Sequence, residues 1–135
     1  HAHMHIHPTV LGIILELVDR YRIRAIRVPW EPATSLRGRV GGWGLGPWIS
    51  LMRRRLGAAG IVTNDRTYGL HATGRMDEEA ILSALAQAGP GLPEIYCHPS
   101  VDESAGLVEL DALLSPRVRA ALENRQFRPS GFADL

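Results

Sequence analysis

Short apolar runs that stop at proline or glycine alternate with longer amphipathic stretches along the whole 135-residue chain. That alternation constrains the fold more than any single motif. Val10, Ile13, Ile14, Leu17, Val18 and Tyr21 recur at helical spacing just after Pro8, which predicts an amphipathic helix. Residues 25–28 are apolar except for Arg27 and closed by Pro29, as a buried strand should be. Residues 30–46, rich in glycine, read as a long loop. Pro47 opens a second helix with Trp48, Ile49, Met52 and Leu56 on one face and Arg53, Arg54 and Arg55 mainly on the other. Residues 60–63 predict a strand, and residues 68–71 a further short extended piece. Asp77, Glu78 and Glu79 start a helix that Gly89-Pro90 stops. Residues 94–97 then form a strand, residues 107–114 and 116–122 helices, and residues 126–128 a weak terminal strand. The expected class is α/β, with mostly parallel strands alternating with helices through right-handed crossovers. The length suits one domain over residues 1–135. The element count is about half that of an eight-stranded barrel, which needs roughly 250 residues.

Composition excludes several chemistries. All 15 basic residues are arginine, so neither a lysine Schiff base nor a carbamylated-lysine metal bridge can form. A formal net charge of +1 gives no overall draw toward nucleic acid or anionic lipid, and Arg53–Arg55 read as a solvated helix face. The single cysteine, Cys97, excludes an intrachain disulfide and a cysteine zinc cage. No apolar run approaches the roughly 20 residues of a transmembrane helix, and no secretory leader is recognisable; the expected compartment is the cytoplasm.

The residues with chemical potential cluster at strand ends. His1, His3, His5 and His7 alternate with apolar residues. On a strand all four imidazoles would share one face, where two can ligate a divalent metal. The competing explanations are a cloning scar or histidines on a polar strand end. His98 follows a strand and precedes Pro99, a place for a general acid or base, or for a buried histidine satisfied by carbonyls. Arg27 can orient an anion or pair with Glu31, and Asp65 is either a substrate-facing carboxylate or a turn residue. Trp43 and Trp48, beside the Gly41-Gly42-Trp43-Gly44 loop, can stack on a sugar or anchor that loop. The loop lacks the lysine of a phosphate-binding motif.

Taken in order, His-Ala-His-Met-His-Ile-His-Pro-Thr-Val (1–10), Arg27-Val28-Pro29-Trp30-Glu31-Pro32 and Tyr96-Cys97-His98-Pro99 resemble the YdjC-like carbohydrate deacetylases. Asn64-Asp65 through Gly69-Leu70 and Leu113-Leu114-Ser115-Pro116 resemble the hopanoid-biosynthesis-associated branch, HpnK. The resemblance implies a metal-dependent hydrolase, on a distorted (β/α) barrel, that removes acetyl groups from N-acetylated amino sugars. In the HpnK branch the substrate it implies is a GlcNAc-bearing hopanoid. The family holds its divalent metal, Mg or Zn, with one aspartate and two histidines; one of these histidines maps onto His1. His3, His5, Arg27 and Asp65 fall to substrate binding, and His98 to the general acid that protonates the leaving amine.

The family's Asn-Ala-Asp-Asp strand end and its other metal histidine have no counterpart in residues 1–135. The expectation is therefore the C-terminal half of such a barrel, self-associating through the exposed sheet edge. Two other functions fit the same residues: a non-catalytic sugar- or lipid-binding half-domain, and a metal-dependent barrel hydrolase of the amidohydrolase type. Water activation needs about three protein ligands on the metal. A purified polypeptide of these residues alone, given zinc or magnesium, should release no acetate from N-acetylglucosamine glycosides; release above the uncatalysed rate in a coupled acetate assay overturns this.

Overall fold

The computed structural model describes residues 3–31, 45–125 and 127–135. The chain divides into two compact units, His1–Arg66 with Ser130–Leu135, and Thr67–Pro129.

The first unit opens with a correction. The alternating histidine segment is not a strand: His3 has left-handed backbone (φ 49°, ψ 28°) and Met4–Ile6 form a 3-10 turn. The one-sided display of imidazoles is lost with it. Pro8 favours this outcome because its fixed φ suits the first helical position, which makes His7 the cap. His7 Nδ1 accepts the Thr9 N–H at 3.3 Å. Helix α1 (Pro8–Tyr21) follows and buries Leu11 and Val18, with Leu15 packed against the same core. Val18 is buried as the spacing predicts, but the docked face is shifted toward Leu11, since Ile13 is 52% and Tyr21 63% exposed. This helix is apolar over most of its circumference, so periodicity alone does not choose which side docks.

Helix α2 (Gly46–Ala58) has Pro47 in its first turn and buries Ile49, Met52 and Leu56, as their spacing predicts. These join Leu11, Val18, Val28 and Ile61 in one core. Arg54 and Arg55 are exposed as expected, but Arg53 is half-buried. Its guanidinium donates to the carbonyls of Asn64 at 2.7 Å and Asp65 at 2.8 Å. Burial lowers the Arg53 pKa, and the Asp65 carboxylate opposes that shift.

The segments predicted as strands at 25–28 and 60–63 do run parallel, yet they meet only at the Ala25–Val62 bridge. The Ile26 N–H donates to Val62 at 3.0 Å and the Val62 N–H to Arg24 at 2.8 Å. A side chain makes the next rung. Asn64 Oδ1 accepts the Val28 N–H at 2.7 Å, and Asn64 Nδ2 donates to the Val28 carbonyl at 3.2 Å.

In the second unit, β1 (Arg66–Tyr68), helix α3 (Glu78–Gln87) and β2 (Pro93–Ile95) build a strand–helix–strand with the two strands paired in a small parallel sheet. The pairing extends to a bond from the Tyr96 N–H to the Tyr68 carbonyl at 2.8 Å. Gly69, just past β1, sits at φ 97°, and a Cβ there would lie 2.4 Å from the Tyr96 carbonyl oxygen. Only glycine lets the two strand ends close. Helix α4 (Ser104–Leu114) begins earlier than predicted and is followed directly by α5 (Pro116–Asn124). Met76, Ile81, Leu85, Ala112 and Val118 form the core. The predicted terminal strand is absent at Phe127 and Arg128, while Gln126 lies outside the described residues. Phe127 instead packs against the core as irregular chain. The architecture is α/β, with helices around a small parallel sheet. Among the described residues, no helix is long and apolar enough to cross a membrane.

Helix ends in this unit are joined by a polar network. Asp77 caps α3 through the Ala80 N–H at 2.9 Å. Ser115 caps α5, and its hydroxyl donates to Glu78 in the first turn of α3. Arg117 donates to Glu78 and, at 2.8 Å, to Glu79. The Ser115 hydrogen bond above all, helped by Arg117 and opposed by desolvation, holds the Glu78 carboxyl below the usual carboxylate range. A folded pKa below the unfolded one adds stability above the ordinary carboxylate pKa, and that stability is lost as pH falls through the folded value. The gap in urea midpoint between wild type and Glu78→Gln should therefore be constant near neutrality and close in acid. A gap that persists unchanged at low pH refutes this.

Candidate functional site

The candidate residues fall in both units. In the first, two hydrogen bonds pin the histidine segment. His5 Nε2 lies 2.9 Å from the Arg27 carbonyl oxygen. A carbonyl only accepts, so Nε2 carries the hydrogen in this bond. Trp48 Nε1 donates to the Ile6 carbonyl at 2.7 Å. The Trp48 indole therefore anchors the histidine segment, a role that differs from both the sugar stacking and the loop anchoring expected of it. The His3 and His5 rings meet edge-on with centroids 6.0 Å apart. The Arg27 guanidinium lies 5.9 Å from the centre of the Phe132 ring.

His3, Ile6, His7 and Trp48 border a mostly apolar cleft of about 500 Å³. Asp65 does not share it. That residue lines a smaller, more polar cleft with Trp30, Ser50, Arg53 and Arg66. The structure thus brings His3, His5 and Arg27 into one neighbourhood and puts Asp65 in another. His1 and Trp43 lie outside the described residues.

Metal-ligating histidines are commonly oriented by a carbonyl on the second ring nitrogen, and His5 has that arrangement. Among the described residues, however, no three His, Cys, Asp or Glu side chains converge to hold a metal ion. These residues alone do not form a metal centre.

In the second unit His98 stands just beyond β2, at the C-terminal end of a parallel strand, the position predicted for it. In open α/β sheets this end of the strands is where ligands bind. The imidazole packs edge-on against Tyr96, with centroids 4.6 Å apart and planes at 89°. Behind the main chain lies Glu109, on α4 and fully buried. Its carboxylate accepts the N–H of His98 and, at 3.4 Å, the N–H of Met76. Burial first, and then the Glu109 charge, push the Cys97 thiol up, which keeps it protonated and unsuited to nucleophilic attack.

Asn64, Arg53 and Glu109 hold main chain in ways their sequence context does not announce, Arg53 reading only as part of a solvated helix face. The spacing of Gly106, Glu109 and Ala112 on one face of α4 is legible in the sequence, but their burial and the donors that Glu109 meets are not. Asn64 enters the sequence reading only as part of the Asn64-Asp65 stretch that carries the resemblance.

The sequence profile of the family described as YdjC-like protein matches residues 1–124. The backbone is similar to the crystal structure of a "putative cellobiose-phosphate cleavage protein" from Enterococcus faecalis V583, with a TM-score of 0.64 at 20% identity. That likeness covers 98% of this chain and 50% of the other, so the chain spans about half the length of that solved structure. No curated protein matches the chain.

Asn64 holds Val28, whose neighbour Arg27 holds His5. Asn64→Ala leaves the Val28 N–H and carbonyl without these partners, and should cost about 2–4 kcal/mol. Urea denaturation reads the loss, and faster amide exchange at Val28 locates it. A cost below about 0.5 kcal/mol would show that the side-chain rung contributes nothing beyond ordinary surface variation.

Proposed function

Because this chain belongs to the YdjC-like family, we propose that the native polypeptide carrying it is a hydrolase that removes acetyl groups from N-acetylated amino sugars. The observation that carries the reading is the family match over residues 1–124, which takes in both the histidine segment and the Cys97-His98-Pro99 turn. The substrate we assign within that class is a GlcNAc-bearing hopanoid, on the resemblance to the HpnK branch. The solved structure of similar fold is described as acting on cellobiose phosphate, which is also a carbohydrate.

Hydrolysis of the amide adds water across the acetyl carbon and breaks the C–N bond. Acetate leaves, and the departing nitrogen must gain a proton to become a free amine. An imidazole is suited to that task because it exchanges protons near neutral pH. In this reading His98 delivers that proton. The family resemblance, rather than a shared cleft, is the support for assigning sugar contacts to His3, His5, Arg27 and Asp65. A bound divalent metal, Mg or Zn, would polarise the acetyl carbonyl and lower the pKa of water. His1 is the residue we assign to it, and the rest of the ligand set is not found among the described residues.

Loss of a general acid typically costs about 10²–10⁴ in rate. His98→Gln in the metal-loaded native polypeptide should lower kcat for acetate release from an N-acetylglucosamine β-glycoside by that order, with KM little changed. Undiminished kcat removes His98 from the chemistry. Absence of acetate release from any N-acetylated amino sugar by the wild type overturns the reaction class.

A further inference from the structure

We propose that Glu109 is the positioning residue for His98: its buried carboxylate clamps the His98 main chain to helix α4 and so fixes where the imidazole is presented. The proposal rests on the reading of His98 as general acid, and it starts from a cost. A carboxylate with 0% exposure loses its hydration, which is strongly unfavourable unless charge-assisted hydrogen bonds replace it. A residue that merely filled the space beside Gly106 and Ala112 would be small and apolar. Glu109 instead accepts two main-chain N–H groups, from Met76 just before the α3 cap and from His98 just after β2.

Both donors come from places where secondary structure has run out. The ladder between β1 and β2 makes its bond at Tyr96, and Pro99 has no N–H with which to continue it. The turn is then caught a second time by the same helix. The Ser100 N–H donates to the Gly106 carbonyl at 3.2 Å. A Cβ on Gly106 would lie 2.4 Å from the Ser100 Cβ, so the absence of a side chain is what lets the turn approach. Gly106 and Glu109, one helical turn apart, thus grip residues 98–100 from one side while the Tyr96 ring meets the imidazole at 4.6 Å. Misplacement of a reacting group by about 1 Å can cost about 10² in rate, so a fixed main chain under an acid catalyst has a direct kinetic consequence.

The test compares Glu109→Gln, His98→Gln, the double variant and Ser115→Ala in the metal-loaded native polypeptide. Glutamine keeps the shape of the side chain but not its charge. Glu109→Gln should lower kcat about 10–100-fold, change KM less than about twofold, and add little to His98→Gln in the double variant. In ¹⁵N–¹H spectra the His98 and Met76 amide protons should move upfield as the charge-assisted bonds weaken. Ser115→Ala, which loosens the α5 cap, should reduce thermal stability and leave kcat unchanged. If His98→Gln is impaired while Glu109→Gln is fully active, the proposal fails and the reading of His98 stands. A kcat loss in Ser115→Ala equal to that in Glu109→Gln also overturns it, because general loosening then explains both. If His98→Gln is fully active, the reading fails instead, and the spectra alone decide the clamp: an unmoved His98 amide in Glu109→Gln overturns it.

Discussion

Buried main-chain N–H and carbonyl groups must be hydrogen-bonded, and the strands of this protein are too short to satisfy their own ends. In each unit a buried polar side chain completes what the ladder leaves undone. Asn64 pairs with both main-chain groups of Val28 in the first unit. Glu109 accepts the N–H groups of Met76 and His98 in the second. Each of these contacts falls beside a candidate functional residue, Arg27 in one unit and His98 in the other. Satisfying the backbone therefore also fixes the main chain beside two candidate residues.

The contrast between the two clamps follows from their chemistry. An amide offers one acceptor and one donor group, which matches an N–H and a carbonyl on a single residue, and it replaces a rung of parallel sheet without any charge. A carboxylate offers acceptors alone and so binds two N–H groups from separate segments, here 22 positions apart in the chain as 98 less 76. It also brings a negative charge into the core, which raises the neighbouring Cys97 thiol along with burial. The raised pKa favours the protonated thiol, the weaker nucleophile, beside His98.

Helix termini repeat the pattern with smaller groups. His7, Asp77 and Ser115 each accept main-chain N–H groups that open a helix. For His7 this has a functional meaning, because an imidazole employed as a cap no longer stands in a row with His3 and His5. The histidine segment is thus divided: His5 is oriented by the Arg27 carbonyl, and His7 belongs to α1.

Local chemistry made much of this legible. Pro8 and Pro47 mark helix starts, Asp77 and Ser115 mark caps, and the 49, 52 and 56 spacing marks the buried face of α2, because each depends on contacts within a few residues. The placement of His98 after a strand was readable for the same reason. Three features were decided only by tertiary structure. The docked face of α1 was one, since the apolar arc opposite Thr9, Glu16, Asp19 and Arg20 is wider than one contact stripe and the core selects Leu11 and Val18 within it. The histidine alternation was another, because period two is a strand signal only where a partner strand exists, whereas His3 turns left-handed and Pro8 starts a helix. The roles of Asn64, Arg53 and Glu109 were the third: each is defined by a main-chain partner between 11 and 36 positions away, and no local pattern encodes such a partner.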